Sequence, residues 1–299
     1  MNRRDFLKTT FLGILASGAA GRVLQAADPT ALPDLVALHN STPEAMFARG
    51  MQAIGGMERF VKKGSTVVVK PNIAWDQPPE FAANTNPELV AAIVKSVYQA
   101  GAASVIVFDH SCDNGPACYR KSGIAEAAEN AGAKVLHATN KKHYRKVTIP
   151  NAKVMSEAEI FEAILDCDTF INVPILKHHG GARMSAAMKN LMGIVWDRRK
   201  MHRAGLGDSI PDLLSFRKPD LNILDAYRMI MDHGPRGGTL KDVALGKFML
   251  ISPDAVATDA VAVKLMKYKA SEVQYLIRAA ERKLGERKLS QLKIASIEM

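Results

Sequence analysis

Three cysteines in 299 residues are too few to staple a chain of this length, which excludes a disulfide scaffold. No Cys-x-x-Cys occurs, so the chain has no recognisable iron–sulfur motif of its own. Gly-x-Gly-x-x-Gly, Gly-x-x-x-x-Gly-Lys-Ser/Thr and Gly-x-Ser-x-Gly are also missing, which argues against ordinary dinucleotide enzymes, P-loop nucleotide enzymes and serine hydrolases. There is no lysine block, no arginine–aromatic interleaving, no internal repeat and no low-complexity segment, so nothing favours nucleic acid as a partner. The apolar run Thr9–Gly21 is too short to span a bilayer stably.

What the chain does have is positive charge and a patterned N-terminus. Forty Lys and Arg against thirty Asp and Glu give a formal charge of +10. Asn2-Arg3-Arg4-Asp5-Phe6-Leu7-Lys8 is a paired-arginine segment. It leads into the Ala- and Gly-rich Thr9–Gly21 run and then Val23-Leu24-Gln25-Ala26-Ala27, whose small residues suit a signal peptidase. Residues 1–26 are therefore expected to be a twin-arginine signal peptide, with the twin-arginine translocase as export partner and the periplasm as destination. That route carries folded proteins, which fits a cofactor inserted before export and equally a chain that simply folds fast. Without residues 1–26, which hold Arg3, Arg4, Lys8, Arg22 and Asp5, the charge of +10 becomes +7, so an anionic small molecule is the expected ligand.

From residue 27 onward the pattern predicts one α/β domain: an open, mostly parallel sheet with helices on both faces, Rossmann-like and three-layered. Thr66–Lys70, Ser104–Phe108 and Thr169–Val173 are short apolar runs bounded by Gly, Pro or polar residues, as expected of strands buried on both faces, and Lys134–His137 is expected to be another strand. Leu221–Leu224 and Lys247–Ile251 are two more. Helices are expected at Thr42–Phe60, Pro87–Ala100, Gly123–Ala131, Glu157–Leu165, Ala182–Met192 and Ala255–Lys267, with a helical tail from Ser271. The second opens on Asn86-Pro87, a cap followed by a first-turn proline. The basic Lys141–Ala152 stretch reads as an exposed excursion or hairpin. Cys112 and Cys118 share a polar loop and are expected to pair in an oxidising compartment, while Cys167 reads as core.

Five segments in order carry a resemblance: Val69-Lys70-Pro71-Asn72, the Thr85–Pro87 helix start, Asn172-Val173-Pro174-Ile175-Leu176-Lys177-His178, Met188-Lys189-Asn190-Leu191-Met192-Gly193 and Ala257-Thr258-Asp259-Ala260. Together they resemble the domain-of-unknown-function family DUF362, over about Val36 to Met266. The resemblance implies no assigned activity. Some members look like fusions to ferredoxin-type iron–sulfur modules, which this chain lacks. Lys-Pro-Asn at a strand end and the following Pro-Glu-Leu-Val helix are similar, more faintly, to the lactate-racemase family with its nickel-pincer cofactor, a likeness that bears on sheet architecture alone.

Polar residues collect at the strand ends: Lys70 and Asn72, Asp109 and His110, Lys177 to His179, Asp225. In an open parallel sheet these gather along one edge, where ligands bind, and lysine with histidine suits phosphate or carboxylate. Lys177 and His178 are the expected catalytic pair, an electrostatic clamp and an acid–base group. Lys70, Asn72, Asp109, Ser185, Lys189, Asn190, His202, His233 and Asp259 are the expected ligand-binding set. Ser185 and Lys189 would share a helix face. Met184, Met188 and Met192 read as that helix's core stripe, and Arg198–Arg203 as a lid or a solvated charge run. The histidines and aspartates could instead hold a metal, but His-x-x-x-His and His-Glu-x-x-His are both absent. The identity of any metal or cofactor stays open. Three functions are consistent with these features: an enzyme acting on an anionic substrate or cofactor, a non-catalytic periplasmic binding protein, or an accessory protein with a periplasmic redox partner.

Overall fold

The computed structural model describes residues 32–299; the expected signal peptide, residues 1–26, lies outside them. In chain order the strands are β1 (Leu35–His39), β2 (Thr66–Pro71), β3 (Ser104–Asp109), β4 (Lys134–His137), β5 (Tyr144–Thr148), β6 (Glu157–Phe161), β7 (Thr169–Val173), β8 (Ile175–His179), β9 (Arg183–Ser185), β10 (Leu221–Ile230), β11 (Val243–Ser252) and β12 (Ile294–Glu298). The α-helices are α1 (Pro43–Ala53), α2 (Pro87–Gln99), α3 (Gly115–Lys121), α4 (Ile124–Asn130), α5 (Glu162–Asp166), α6 (Ala187–Asn190), α7 (Arg198–Ala204), α8 (Leu206–Phe216), α9 (Ala255–Leu265) and α10 (Gln274–Glu281).

Among the described residues ten strands form one sheet whose main order is β12-β1-β11-β10-β7-β2-β3-β4, with β8 beside β10 and β9 beside β8. Along the main order every strand but β11 runs the same way. The fold is thus an α/β, mostly parallel mixed sheet flanked by helices. Alternation along the strands sorts their side chains between two cores. Val67 and Val69 pack with α1 to α4, and Val68 packs with α6, α8, α9 and α10 on the opposite face.

The expected strands before β5 and the strand β7 lie where their apolar runs placed them. Asn86 caps α2, its Oδ1 accepting from Glu88 N at 2.8 Å and Leu89 N at 3.2 Å. Several expectations need correction. Glu157–Leu165 is a strand followed by one short helix, because Tyr144 to Thr148 offers an antiparallel partner for Glu157 to Phe161. Residues 174–181, expected as a polar segment at the end of a strand, are mostly a further strand, β8, and the expected helix Ala182–Met192 is split into β9, α6 and a 3-10 turn. Ser185 therefore lies on a strand opposite Lys177 rather than one helical turn before Lys189. The methionines remain core. The helical tail ends in a strand, β12, laid parallel to β1. All three cysteines are free thiols: Cys118 sits on α3 inside the core while Cys112 is exposed, and the expected pairing is not formed.

Candidate functional site

The site lies where β2, β3 and β7 end. Pro174 lacks an N–H and interrupts the ladder after β7; the chain resumes as β8 beside the far half of β10 and turns back as β9. Side chains two apart on a strand share a face, so Lys177 and His179 both look into one cavity of about 360 Å³, and Ser185, across from Lys177, joins them. His178 points the other way.

A relay of asparagine amides underlies this cavity. Asn172 Nδ2 donates to Asn222 Oδ1 and to Ala187 O, each at 2.9 Å. Asn190 Nδ2 donates to Asn172 Oδ1 at 2.9 Å, and Asn72 Nδ2 donates to Asn190 Oδ1 at 3.0 Å. An amide both donates and accepts, so the chain satisfies its buried polar atoms without net charge. It leaves Asn72 Oδ1 as the acceptor for Lys177 Nζ, at 3.0 Å. The Asn72 backbone N–H is itself held by Thr85 Oγ1 at 2.8 Å, whose hydroxyl donates to Val173 O at 2.8 Å.

Lys177 also donates to Ala83 O. Both acceptors are neutral, and an ammonium has three donors. Burial therefore lowers its pKa to about 7, since desolvation disfavours the charged form. Lys189, half-buried on α6, has as its hydrogen bond among the described residues a contact to Met192 Sδ at 3.5 Å. Burial, helped by the Arg198 charge, lowers it to about 8. Lys70 is different: its Nζ lies 2.7 Å from Asp109 Oδ1, both side chains buried, and donates to Pro71 O at 3.0 Å. Asp109 Oδ2 accepts from Ile73 N at 2.7 Å. Asp109 is the only carboxylate among the described lining residues, and it is already neutralised. Gly193 closes over this pair: a Cβ there would stand 1.9 Å from Asp109 Oδ1 and 2.7 Å from Lys70 Nζ.

Two of the histidines at the cavity, His110 and His179, are neutral imidazoles of opposite tautomer. His110 Nδ1 lies 2.9 Å from Val195 O. A carbonyl only accepts, so Nδ1 carries the proton and Nε2 the lone pair. His179 Nδ1 accepts from Gly181 N and Ala182 N, both at 3.1 Å, so its proton sits on Nε2. Burial lowers the pKa of both, that of His179 to about 2, with the Lys189 and Lys177 charges adding to the effect on His179. Helix α7 brings Arg198, Arg199 and His202 to the cavity. Arg198 donates to His110 O at 2.7 Å, Ser111 O at 2.5 Å and Cys112 Sγ at 3.1 Å. Among the described residues no group of three His, Cys, Asp or Glu side chains gathers as a metal site.

The model of a family described as a domain of unknown function, DUF362, matches residues 67–264. The chain belongs to this family. Among curated proteins it is 28% identical, over 249 residues, to the thylakoid-associated protein sll1697 of Synechocystis sp., a match that covers 79% of this chain and 73% of the relative. Among solved structures it is similar to the lactate racemase apoprotein of Thermoanaerobacterium thermosaccharolyticum, with 14% identity and a TM-score of 0.42, covering 68% of this chain and 52% of the other. A Thermotoga maritima protein shows 8% identity and a TM-score of 0.41, over 80% of this chain and 59% of its own. The chain thus spans little more than half the length of these two solved chains.

Of the residues singled out in the sequence, this DUF362 chain brings Asn72, Asp109, Lys177, Ser185, Lys189, Asn190 and His202 to the cavity wall. Lys70 lies behind it, as the counter-ion of Asp109. His178 does not line it; its Nδ1 accepts from Gly234 N at 3.0 Å and anchors the β10–β11 loop. His233 is exposed and pairs with Asp242 at 3.0 Å. Asp259 is buried beneath α6, accepting from Ala187 N at 2.6 Å and Met188 N at 3.2 Å, and positions the turn that carries Lys189. Sequence reasoning gives no binding role to Arg198, Gly193 or Trp75, and links His110 and His179 only to a strand-end set or a metal. The available signals are the position of His110 directly after a strand and the two-residue spacing of Lys177 and His179.

Proposed function

We propose that this DUF362 chain is an enzyme that binds a small carboxylate or phosphate at the strand ends. The observation that carries this is the unmatched charge of the cavity. Lys177, Lys189, Arg198 and Arg199 line it, and its one carboxylate among the described residues is committed to Lys70. A buried ammonium held by neutral acceptors is stabilised when an anion supplies the missing counter-charge. The complementary tautomers of His110 and His179 favour turnover over simple carriage, one offering a base and the other a donor to the same small volume. In this reading Lys177 clamps the anion, Lys189 and Arg198 extend the clamp, and the asparagine relay holds Lys177 in place.

Export by the twin-arginine route to the periplasm belongs to the proposal, supported by the Arg3-Arg4 segment and the Ala26-Ala27 end of the apolar run. Thermal unfolding of the full chain with malonate, acetate and inorganic phosphate tests the binding. At a hundredfold excess over Kd a ligand stabilises by about 2.7 kcal/mol, and the Lys177→Gln variant should lose that gain. If no anion raises the unfolding temperature, the cavity has been misread. An anion recovered unchanged after long incubation would support a carrier instead.

A further inference from the structure

We propose that Lys189 is a carbonyl-binding amine that forms a Schiff base with a small 2-oxo acid whose carboxylate occupies the cationic cavity. This rests on the anion-binding reading above and narrows it to a substrate class. Two lysines line the cavity, and they are not equivalent. Lys177 is buried and spends its donors on Asn72 Oδ1 and Ala83 O, contacts that suit an ammonium serving as a fixed clamp. Lys189 reaches the cavity from α6, and its hydrogen bond among the described residues goes to a thioether, Met192 Sδ, at 3.5 Å. Sulfur of this kind is a weak acceptor and does little to hold a proton on the amine.

An amine attacks a carbonyl only when unprotonated, so some feature of the site must make the neutral form accessible. Burial does this for Lys177 and Lys189 alike, with the nearby guanidinium of Arg198 acting on Lys189, and of the two it is Lys189 whose Nζ is not tied to oxygen acceptors among the described residues. Arginine keeps its charge in proteins, and Arg198 is fixed by three acceptors on residues 110 to 112. Where the two cations compete, Lys189 is the one that gives up a proton. In the reaction the Nζ lone pair attacks the carbonyl carbon. The carbonyl oxygen takes up two protons and leaves as water, and a C=N bond replaces C=O with no oxidant or reductant required. His110 Nε2, a lone pair at the same cavity, can take a proton from the attacking amine and return it to the oxygen, while His179 Nε2–H donates a hydrogen bond to that oxygen. The 2-oxo acid class joins the two demands of the site, a carboxylate for Lys177 and the arginines and an adjacent electrophile for the free amine.

The test is reductive trapping on the full chain with pyruvate and 2-oxoglutarate as probes, sodium borohydride as reductant, and intact mass with peptide mapping as readout. The expected result is a mass increase equal to the 2-oxo acid less one oxygen atom, located at Lys189 and absent without borohydride. Excess malonate should suppress it in the unaltered protein, and Lys189→Arg should abolish it. A thiol adduct at Cys112 would not be fixed by borohydride, so it cannot mimic the signal. Malonate binding with no adduct from either probe, an adduct on Lys177, or one that persists in Lys189→Arg overturns the imine proposal and leaves the anion site standing. If neither malonate nor the 2-oxo acids bind, both readings fall.

Discussion

Replacing Asp109 by Asn isolates the buried pair on which the cavity wall rests. The Lys70 ammonium lies 2.7 Å from Asp109 Oδ1 with both side chains essentially inaccessible. The substituted amide can still accept from Ile73 N, but the exchange removes the carboxylate that compensates Lys70. Breaking one side of a buried pair costs about 3–5 kcal/mol. Lys70 has an escape, because it can fold as the neutral amine. From an unfolded pKa of about 10.4, at about 1.36 kcal/mol per pH unit, that escape costs about 4.6 kcal/mol at pH 7 and about 1.9 kcal/mol at pH 9. The sign follows from proton binding: the unfolded variant holds a proton on Lys70 that the folded variant lacks, so its stability rises with pH. Burial already lowers the Lys70 pKa in the intact protein, with Asp109 opposing the shift. Urea unfolding of both proteins at pH 7 and pH 9 should therefore show a destabilisation of about 4 kcal/mol that shrinks by about 2–3 kcal/mol at the higher pH. The Lys189 shift is common to both proteins and cancels in the difference, whereas Lys177, which Asp109 helps to keep charged, is lowered further in the variant and adds to its rise in stability with pH. A loss below about 1 kcal/mol, or one independent of pH, would refute the reasoning.

Gly193→Ala should cost at least about 1–3 kcal/mol by overpacking, since its Cβ would fall 1.9 Å from Asp109 Oδ1; chemical denaturation and malonate binding would both register it. Malonate affinity should fall at least about tenfold between pH 6 and pH 9 as Lys177 and Lys189, with pKa values of about 7 and about 8, lose their charge, which calorimetry across that range would measure. Over pH 7 to 10 those same depressed pKa values predict that the ligand-free protein gains stability, because only the unfolded chain keeps both protons. Asp259→Asn leaves one acceptor for two backbone donors at the start of α6 and should destabilise by about 1–3 kcal/mol, measurable by urea unfolding. A thiol reagent should modify exposed Cys112 in the folded protein and reach buried Cys118, whose pKa burial raises to about 11, only after unfolding.

The parallel half of the sheet is legible in the sequence because its strands announce themselves locally. Val67, Val68 and Val69 form a β-branched run ended by proline, and Asn86-Pro87 marks the start of α2 through its own cap chemistry. The misread segments depend on partners distant in sequence. Glu157 to Phe161 is a strand only because Tyr144 to Thr148 lies alongside. Residues 182–192 break because β9 pairs with β8 and Asp259, some seventy residues on, accepts from the first backbone donors of α6. Lys177 and Asn72 can be read as a site since strand ends gather at one edge, and Lys189 through the segment that resembles the family. Sequence alone favours His178 over His179 because loop residues have no alternation, whereas on β8 the pleat sends His179, with Lys177, into the cavity. Asn172 and Asn222, polar residues inside apolar strands, are a readable sign of a buried network, but their link to Asn190 and Asn72 exists only once the strands are side by side. Arg198 is legible only as part of a basic run and Gly193 only as the end of a family segment, and neither marks its place beside Asp109 and His110.

Isothermal titration of the full chain with malonate, beside the Lys177→Gln variant, tests most directly the claim that the strand-end cavity binds an anion. One site per chain is expected, with affinity that weakens in Lys177→Gln and as salt is raised. No measurable heat, or binding that the substitution leaves unchanged, would contradict it.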